Sequence, residues 1–553
     1  MEQRKKRILM CNEASFLNTG YSTYGYEVLR RLHETGKYDI AEFATYGHAG
    51  DPRARQLPWA WFPNMPDGGN DDQIKEYESK TTNQFGEWRF EETCLKFQPD
   101  IVFDIRDHWM FQYQIYSAFR PYYWHVIMPT VDAMPQENIW ISDFMQADKV
   151  LTYTDFGMKT LNDQAANQMK LFKTASPGAD LETLKPIANK QELKKSMGLP
   201  EDTLIIGTVM RNQKRKLYPD LFLAFAEFLK QAPPDLARRA VLYCHTSYPD
   251  VGWDLPLLLK ESGISHKVFF TYICKQCGAV CAMKYTDINV PCRRCSLAKC
   301  GFPNPQFGVT KETLGRIYNL FDIYVQYAIC EGAGMPQIEA ASCGVPIMAV
   351  DYSGMEDIVR KLNGTPIKVQ RFYREAETHR IMAMPDNQDL INSLISFLSL
   401  PTPVRTRKGK EARELCEKHY NWDNVAKTWE EAFDSLPIRP IEETWKAPPR
   451  IFNPEPFDPA SNNMSNESFV KWAIINLAKE PRLLNTYLEQ KFIRDLNFGQ
   501  TYDYMGVPYF SDLSSLGIRP KLRAFTRQDF LVELDRLVNM RNVWEQRRKE
   551  AIK

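Results

Sequence analysis

The chain has 553 residues, 44% of them apolar and 25% charged, a globular composition too long for a single ordinary core. Seventy Lys and Arg stand against 69 Asp and Glu, so the chain as a whole has no charge preference for nucleic acid or anionic membrane; any such affinity has to be local. The start MEQRKKRILMCNEA is apolar too briefly for a signal segment and no later run approaches a membrane span, which points to a cytoplasmic protein with no membrane span.

In chain order, residues 1–175 alternate short apolar runs with helical patterns. RILMCNE, IVFDIRD, HVIMPT and KVLTYTD read as strands. YGYEVLRRLHETG reads as a helix with apolar positions at Val28, Leu29 and Leu32 and a glycine stop. PNMPDGGNDDQ reads as a surface loop. The pattern restarts after SPGADLETLKP, residues 176–186, with strands LIIGTVM, AVLYCHT, KVFFT, DIYVQYA and VPIMAVD and helices PDLFLAFAEFLKQ and KETLGRIYNLF. Two successive α/β patterns predict two Rossmann-like lobes, 1–175 and 176–436, with a ligand cleft at the carboxyl ends of the strands. A proline-rich linker over 437–465 and a helical appendage over 466–553 follow. The last helix opens on a capping-box-like Thr526 and Asp529, with Phe530, Leu534, Leu537 and Val538 on one stripe. The appendage is a packed accessory or a module that binds a partner or substrate.

Six of the twelve cysteines lie between Cys274 and Cys300. Cys274-x2-Cys277 and Cys292-x2-Cys295, fourteen residues apart, have the spacing of a structural zinc ribbon with four thiolate ligands, inserted in the second lobe at about 272–302. Cys281 and Cys300 are alternative ligands or spares. Lys275, Lys284, Arg293, Arg294 and Lys299 surround the cluster with positive charge, and Tyr285 offers a stacking surface, so the insertion binds nucleic acid or merely braces the lobe.

The segment CEGAGMPQIEAASCGVPIMAVDYSG carries Glu331 and Glu339, eight residues apart, around a turn with Gly332 and Gly334. Glycines let backbone N–H groups approach a ligand, and a helix starting after them offers its N-terminus to a diphosphate. Glu331 in the turn is placed to accept hydrogen bonds from sugar hydroxyls. Glu339, about two turns into that helix, is placed for a ribose diol. The bland alternative is a capped helix with two solvated acids.

This block resembles the E-x7-E motif of retaining, GT-B-fold glycosyltransferases of family 4. NTGYSTYGYEVLRRL, ADKVLTYTDFGMKTL, PGADLETLKP, GTVMRNQKRKLYPDLFLAF, ETLGRIYNLFDIYV and YNWDNVAKTWEEAF fall in the family's order, over roughly residues 7–435. The resemblance implies a GT-B fold and a nucleotide-sugar donor with no catalytic metal. It implies that Arg211 and Lys216 neutralise the donor diphosphate, Glu331 holds the donor sugar and Glu339 the ribose. Backbone around Gly334 and Met335 meets sugar and phosphate oxygens, and Gly20 lets the first lobe's loop approach the phosphates. Two features depart from the family. Ser353-Gly354-Met355-Glu356-Asp357 replaces its Gly-Gly-x-x-Glu, and Asp132 stands where many relatives have a histidine. Asp132 and His108 are then the candidates to face the acceptor, with Asp132 acting as base or orienting group; the alternative for His108, beside Trp109, is a structural role.

The resemblance implies a retaining transferase moving a sugar, from a UDP-sugar, to a hydroxyl. One acceptor is a hydroxymethylated pyrimidine such as 5-hydroxymethylcytosine in double-stranded DNA, as in phage-type members acting in a host cytoplasm. The alternative is a glycan or lipid-linked acceptor in surface polysaccharide synthesis. A third reading is a nonenzymatic zinc-bearing nucleic-acid adaptor on the same scaffold.

Overall fold

The computed structural model describes residues 4–438, except 118, 287–290, 293, 297, 298, 305 and 306, and residues 463–538, except 504–520, 532 and 536. The linker expected over 437–465 falls almost wholly outside this set, as do Arg293 and the end of the last helix.

The first lobe is a seven-stranded sheet ordered β3-β2-β1-β4-β5-β6-β7, every pair parallel. Its strands are β1 (Lys6–Glu13), β2 (Tyr38–Thr45), β3 (Ala60–Pro63), β4 (Ile101–Asp104), β5 (Trp124–Ile127), β6 (Lys149–Thr152) and β7 (Leu171–Thr174). Helices cover both faces, so the central strands are buried on both sides; this is why RILMCNE reads as an apolar run and not as an alternation. Neighbouring β1 and β4 continue to opposite sides of the sheet, which opens a crevice at their carboxyl ends.

The second lobe repeats the plan. β8 (Leu204–Val209), β9 (Ala240–His245), β10 (Val268–Cys274), β13 (Ile323–Gln326), β14 (Ile347–Val350) and β15 (Thr365–Ile367) run parallel in the order β10-β9-β8-β13-β14-β15. β11 (Val280–Lys284) and β12 (Cys300–Gly301) add antiparallel to the two edges of β10. The cysteine-rich segment therefore grows out of the sheet itself. A hairpin of β16 (Val369–Arg374) and β17 (Ile381–Pro385) follows β15 and reaches the first lobe, where Ile381 N donates to Met134 O at 2.7 Å.

The helix Trp422–Asp434 returns the chain to the first lobe. Asn421 Oδ1 caps it by accepting from Asp423 N, and its apolar face carries Trp429 and Phe433 onto Phe103. Trp429 is fully buried and its indole N–H donates to Tyr24 OH at 2.9 Å; Lys6 Nζ donates to Phe433 O at 2.6 Å.

In the C-terminal segment, helices Asn466–Trp472 and Tyr487–Phe498 pack with Phe530, Leu534, Leu537 and Val538 around Phe469 and Phe492. Thr526 and Asp529 exchange the hydrogen bonds of a capping box. This small core rests on the first lobe: Arg494 Nη1 donates to Ser142 Oγ at 3.0 Å, and Lys491 lies 5.2 Å from the Tyr116 ring. Among the described residues no helix is long and apolar enough to cross a membrane.

Trp429 joins the two ends of the α/β body. Trp429→Ala is expected to cost about 3–5 kcal/mol, from lost burial and the cavity left behind. Thermal denaturation should show a lower midpoint; an unchanged midpoint would mean that the returning helix contributes little.

Candidate functional site

The first lobe brings a glycine loop to the crevice. The chain leaves β1 at Glu13, and the loop is held from below by the buried Glu42 carboxylate, which accepts from Ser15 N at 2.7 Å and Ser15 Oγ at 2.8 Å. Thr19 caps the helix Gly20–Glu34, its Oγ1 accepting from Ser22 N at 3.2 Å. A Cβ added at Gly20 would lie 3.6 Å from Met335 Sδ. The starts of two helices, one from each lobe, therefore meet at one place. Both have unpaired N–H groups and a positive dipole end there.

The second lobe contributes the acidic turn after β13. Gly334 has φ +64°, a conformation that favours glycine, and caps the helix Met335–Ser342. A Cβ at Gly332 would fall 2.5 Å from Thr130 Cγ2, so the turn lies against the other lobe with no room for a side chain. Glu331 is buried and densely held. Lys216 Nζ contacts its Oε1, Gln326 Nε2 donates to the same oxygen at 2.7 Å, and Arg215 Nη2 lies 3.7 Å from Oε2. The Ser353-Gly354 pair supports this turn from behind: Glu331 N donates to Ser353 Oγ, and Gly354 N to Glu331 O, both at 3.0 Å. A Cβ at Gly354 would come within 2.6 Å of two turn carbonyls. Further along, Asp357 Oδ2 accepts from Phe156 N of the first lobe at 2.7 Å.

Burial pulls the Lys216 ammonium well below its ordinary pKa. Arg215 beside it acts in the same direction, and the Glu331 carboxylate in direct contact favours the charged form.

The structure divides the expected cations. Arg211 forks onto Asp250, with Nε and Nη2 donating at 2.8 and 2.9 Å, and its side chain is half-exposed. The guanidinium that approaches the acidic turn is Arg215, next to Lys216. The reason is competition: Asp250 occupies the Arg211 fork, while Ile329 N donates to Arg215 O at 3.0 Å and draws that residue to the turn. Glu339 is the fifth residue of its helix, one turn in and not two, because the helix starts only at Met335. Its Oε2 accepts from Tyr318 OH at 2.6 Å, and burial raises its pKa.

The two acceptor-side residues part company. Asp132 pairs with Arg380 of the β16–β17 hairpin at 2.5 Å and lies 3.6 Å from Cys330 Sγ. His108 instead joins an interior network: Nε2 sits 2.7 Å from Asp143 Oδ2 and the ring stacks on Trp140. Gln112 and Tyr116 donate to the same Asp143. At this strand end the group that lies among crevice residues is Asp107, which the sequence reading passed over. Burial first, and the Asp132 carboxylate second, push its carboxyl up to about 6; Thr130 and Tyr21 hydrogen-bond to it, and Arg215 of the second lobe acts on it across the crevice. The signal available in the sequence was a carboxylate directly after a predicted strand, in IRDHW.

The cysteines converge away from these groups. One ligand atom from each of Cys274, Cys277, Cys292 and Cys295 lies within 4.8 Å of all the others. Sγ of Cys274 and Cys295 are 3.6 Å apart, as are those of Cys277 and Cys292. Four sulfurs about 2.3 Å from one tetrahedral zinc sit about 3.8 Å apart, so the set fits such an ion. Backbone N–H groups of Cys295 and Arg294 pull Cys292 down to about 6, which favours the thiolate. Cys281 and Cys300 stand outside the group. Tyr285 is no free stacking surface: it packs against Phe302, Tyr248 and Phe270. A Cβ at Gly308, on the segment leaving the module, would lie 3.8 Å from Asn18 Nδ2 in the glycine loop region.

Residues 306–415, which include the acidic turn, match the profile of the family described as glycosyl transferases group 1. This part of the second lobe is therefore similar to a group 1 glycosyl transferase domain. Among curated proteins, a D-inositol 3-phosphate glycosyltransferase of Thermobifida fusca is 25% identical over 228 residues, 41% of this chain and 45% of that one. A protein of the same name from Corynebacterium urealyticum is 23% identical over 298 residues, 54% and 58% of the two chains. The chain spans about half the length of the curated relatives it matches. Among solved structures, the sucrose-phosphate synthase of Thermosynechococcus elongatus superposes with a TM-score of 0.56 at 16% identity, covering 78% of this chain and 99% of that one. HepE of Anabaena, solved with UDP and glucose, gives 0.53 at 14%, covering 78% and 100%. The two lobes thus share the GT-B fold of these structures.

The Asp107 carboxyl is protonated below about pH 6 and ionised above it. If the anion is the working form, turnover falls as pH drops through 6, and Asp107→Asn removes that acid limb. A pH–rate profile checks this, and an acid limb that survives the substitution would exclude Asp107.

Proposed function

We propose that this chain is a retaining glycosyltransferase that moves a sugar from a nucleoside-diphosphate sugar, a UDP-sugar, to a hydroxyl group. The observation that carries the reading is the Lys216–Glu331 pair, with Arg215 beside it, at the point where the two helix starts meet. In the ligand-free chain the ammonium and the carboxylate satisfy each other. A donor separates their tasks: Lys216 turns to the diphosphate and Glu331 accepts from sugar hydroxyls. Arg215 and the N–H groups at Gly20 and Met335 add positive potential where the leaving group gains negative charge, while Arg211 stays paired with Asp250. Glu339, partnered by Tyr318, takes the ribose hydroxyls.

In the transfer, the bond from the anomeric carbon to the diphosphate oxygen breaks and a bond to the acceptor oxygen forms on the same face. The acceptor proton passes to the departing phosphate oxygen. No protein nucleophile and no catalytic metal are required. Asp107 and Asp132 border the acceptor side, and Asp132 stays oriented by Arg380.

The acceptor we favour is a hydroxyl on a polyanion, for which a hydroxymethylated pyrimidine in DNA is the specific form. The support is local charge: between Cys274 and Cys300 five Lys and Arg face a single carboxylate, Asp287. A glycan, lipid-linked or phosphorylated small acceptor is the second reading, favoured by the similarity to D-inositol 3-phosphate glycosyltransferases. For the cysteine module we propose structural zinc, four thiolates leaving no open position for chemistry.

Glu331→Gln keeps the shape of the side chain and removes its charge. It should cut donor hydrolysis and transfer by about 100-fold or more, the scale of losing one charge-stabilising group, with the fold retained by circular dichroism. Undiminished UDP release would refute the site. Incubating hydroxymethylated DNA, a glycan panel and inositol phosphates with a panel of nucleotide sugars, read by mass spectrometry, separates the acceptors. Metal analysis should find about one zinc per chain, lost with the paired substitutions Cys277→Ser and Cys292→Ser; a metal-free native chain would remove the zinc proposal.

A further inference from the structure

A second cavity, of about 640 Å³, opens at the root of the cysteine module. It lies between the helix Lys190–Ser196, the two cysteine knuckles and the helix Lys311–Leu320. Three cations from these three elements line it: Lys195, Arg294 and Arg316. All three are exposed, and among the described residues no carboxylate lies within ion-pair distance of any of them. Many other Lys and Arg among the described residues are paired, including the neighbours Lys194 with Asp322 and Lys311 with Glu27. Gly198 and Gly278 also line the cavity, both with positive φ and with open space where a Cβ would stand, so two turns present bare backbone to it.

The charge is not explained by the metal site alone. Four thiolates around a divalent zinc carry two negative charges, and the module's own surplus of cations is four. Lys195 and Arg316 come from outside the module and add to the remainder. Like charges held together without partners cost stability unless an anion joins them.

We propose that this cavity and the cationic face of the module form a binding site for the phosphate backbone of nucleic acid, distinct from the sugar-donor crevice. A trio of cations lining one cavity fits a phosphodiester, and Lys275, Lys284 and Lys299 add to the positive charge of the same module. A membrane surface fits less well. Peripheral membrane binding pairs cations with inserted apolar side chains, and among the described residues none of the exposed large hydrophobics belongs to the module. The site stands apart from the sugar-transfer reading, because its test measures binding with no donor present.

The test uses the full chain with its metal content measured, and the anisotropy of a short labelled DNA duplex titrated at several salt concentrations. Lys195→Glu with Arg316→Glu should weaken binding at least about tenfold and reduce the log–log salt slope by about two, since each phosphate contact contributes about 0.9. The alanine pair should act in the same direction. Charge reversal at Lys159 and Lys427, the same change in net charge on other elements, should leave the slope unchanged, and donor hydrolysis should stay at its basal rate in all variants. Equal affinity and slope in the Lys195 and Arg316 variants would overturn the proposal. Tighter binding to phosphatidylserine vesicles than to duplex would replace nucleic acid by a lipid surface. Competition by inorganic pyrophosphate at equal molar strength would reduce the site to a small-anion pocket.

Discussion

The crevice is organised by one buried ion pair, that of Lys216 with Glu331. A charge of either sign alone at that depth would be strongly unfavourable, so each group requires the other until a ligand replaces it. The surrounding structure serves the pair. Gln326 holds one carboxylate oxygen, Ser353 and Gly354 hold the backbone of the turn, and Gly332 lets the turn lie flush with Thr130. Together these contacts fix the carboxylate, the ammonium and the backbone of the turn in one place.

Several contacts join the lobes that form the crevice, three of them far apart in the chain. The returning helix seats Trp429 under β4, Lys311 reaches Glu27 of the first lobe at 3.2 Å, and the β16–β17 hairpin crosses to Met134 and Asp132. The hairpin brings Arg380 of the second lobe onto Asp132 of the first. The C-terminal helices pack on the first lobe through Lys491 against Tyr116, whose hydroxyl donates to Asp143 in the network that holds His108.

Much of this was legible in the sequence because the physics is local or periodic. Parallel strands buried on both faces read as apolar runs, glycines mark the turns, and knuckle spacing gave the four cysteines that the fold brings together. What stayed hidden depends on which of several equivalent neighbours turns inward. In QKRK the composition does not distinguish Lys214, Arg215 and Lys216; the choice is made by the path of the loop, with Lys216 N donating to Gln213 O and Ile329 N to Arg215 O. In IRDHW three polar residues follow one strand, and only the start of the next helix decides that His108 goes inside while Asp107 stays in the crevice. Arg211 was displaced by Asp250, thirty-nine residues away, a pairing that no local pattern announces. The crossing of the hairpin is likewise a long-range match of backbone to backbone.

Strand β10 belongs at once to the parallel sheet and to the cysteine module, since its last residue, Cys274, is also the first of the four converging thiols. No hinge separates the two. The module therefore grows from the same sheet as the lobe that carries Lys216 and Glu331, and the direction in which it leaves that lobe is set by strand geometry, not by tether length.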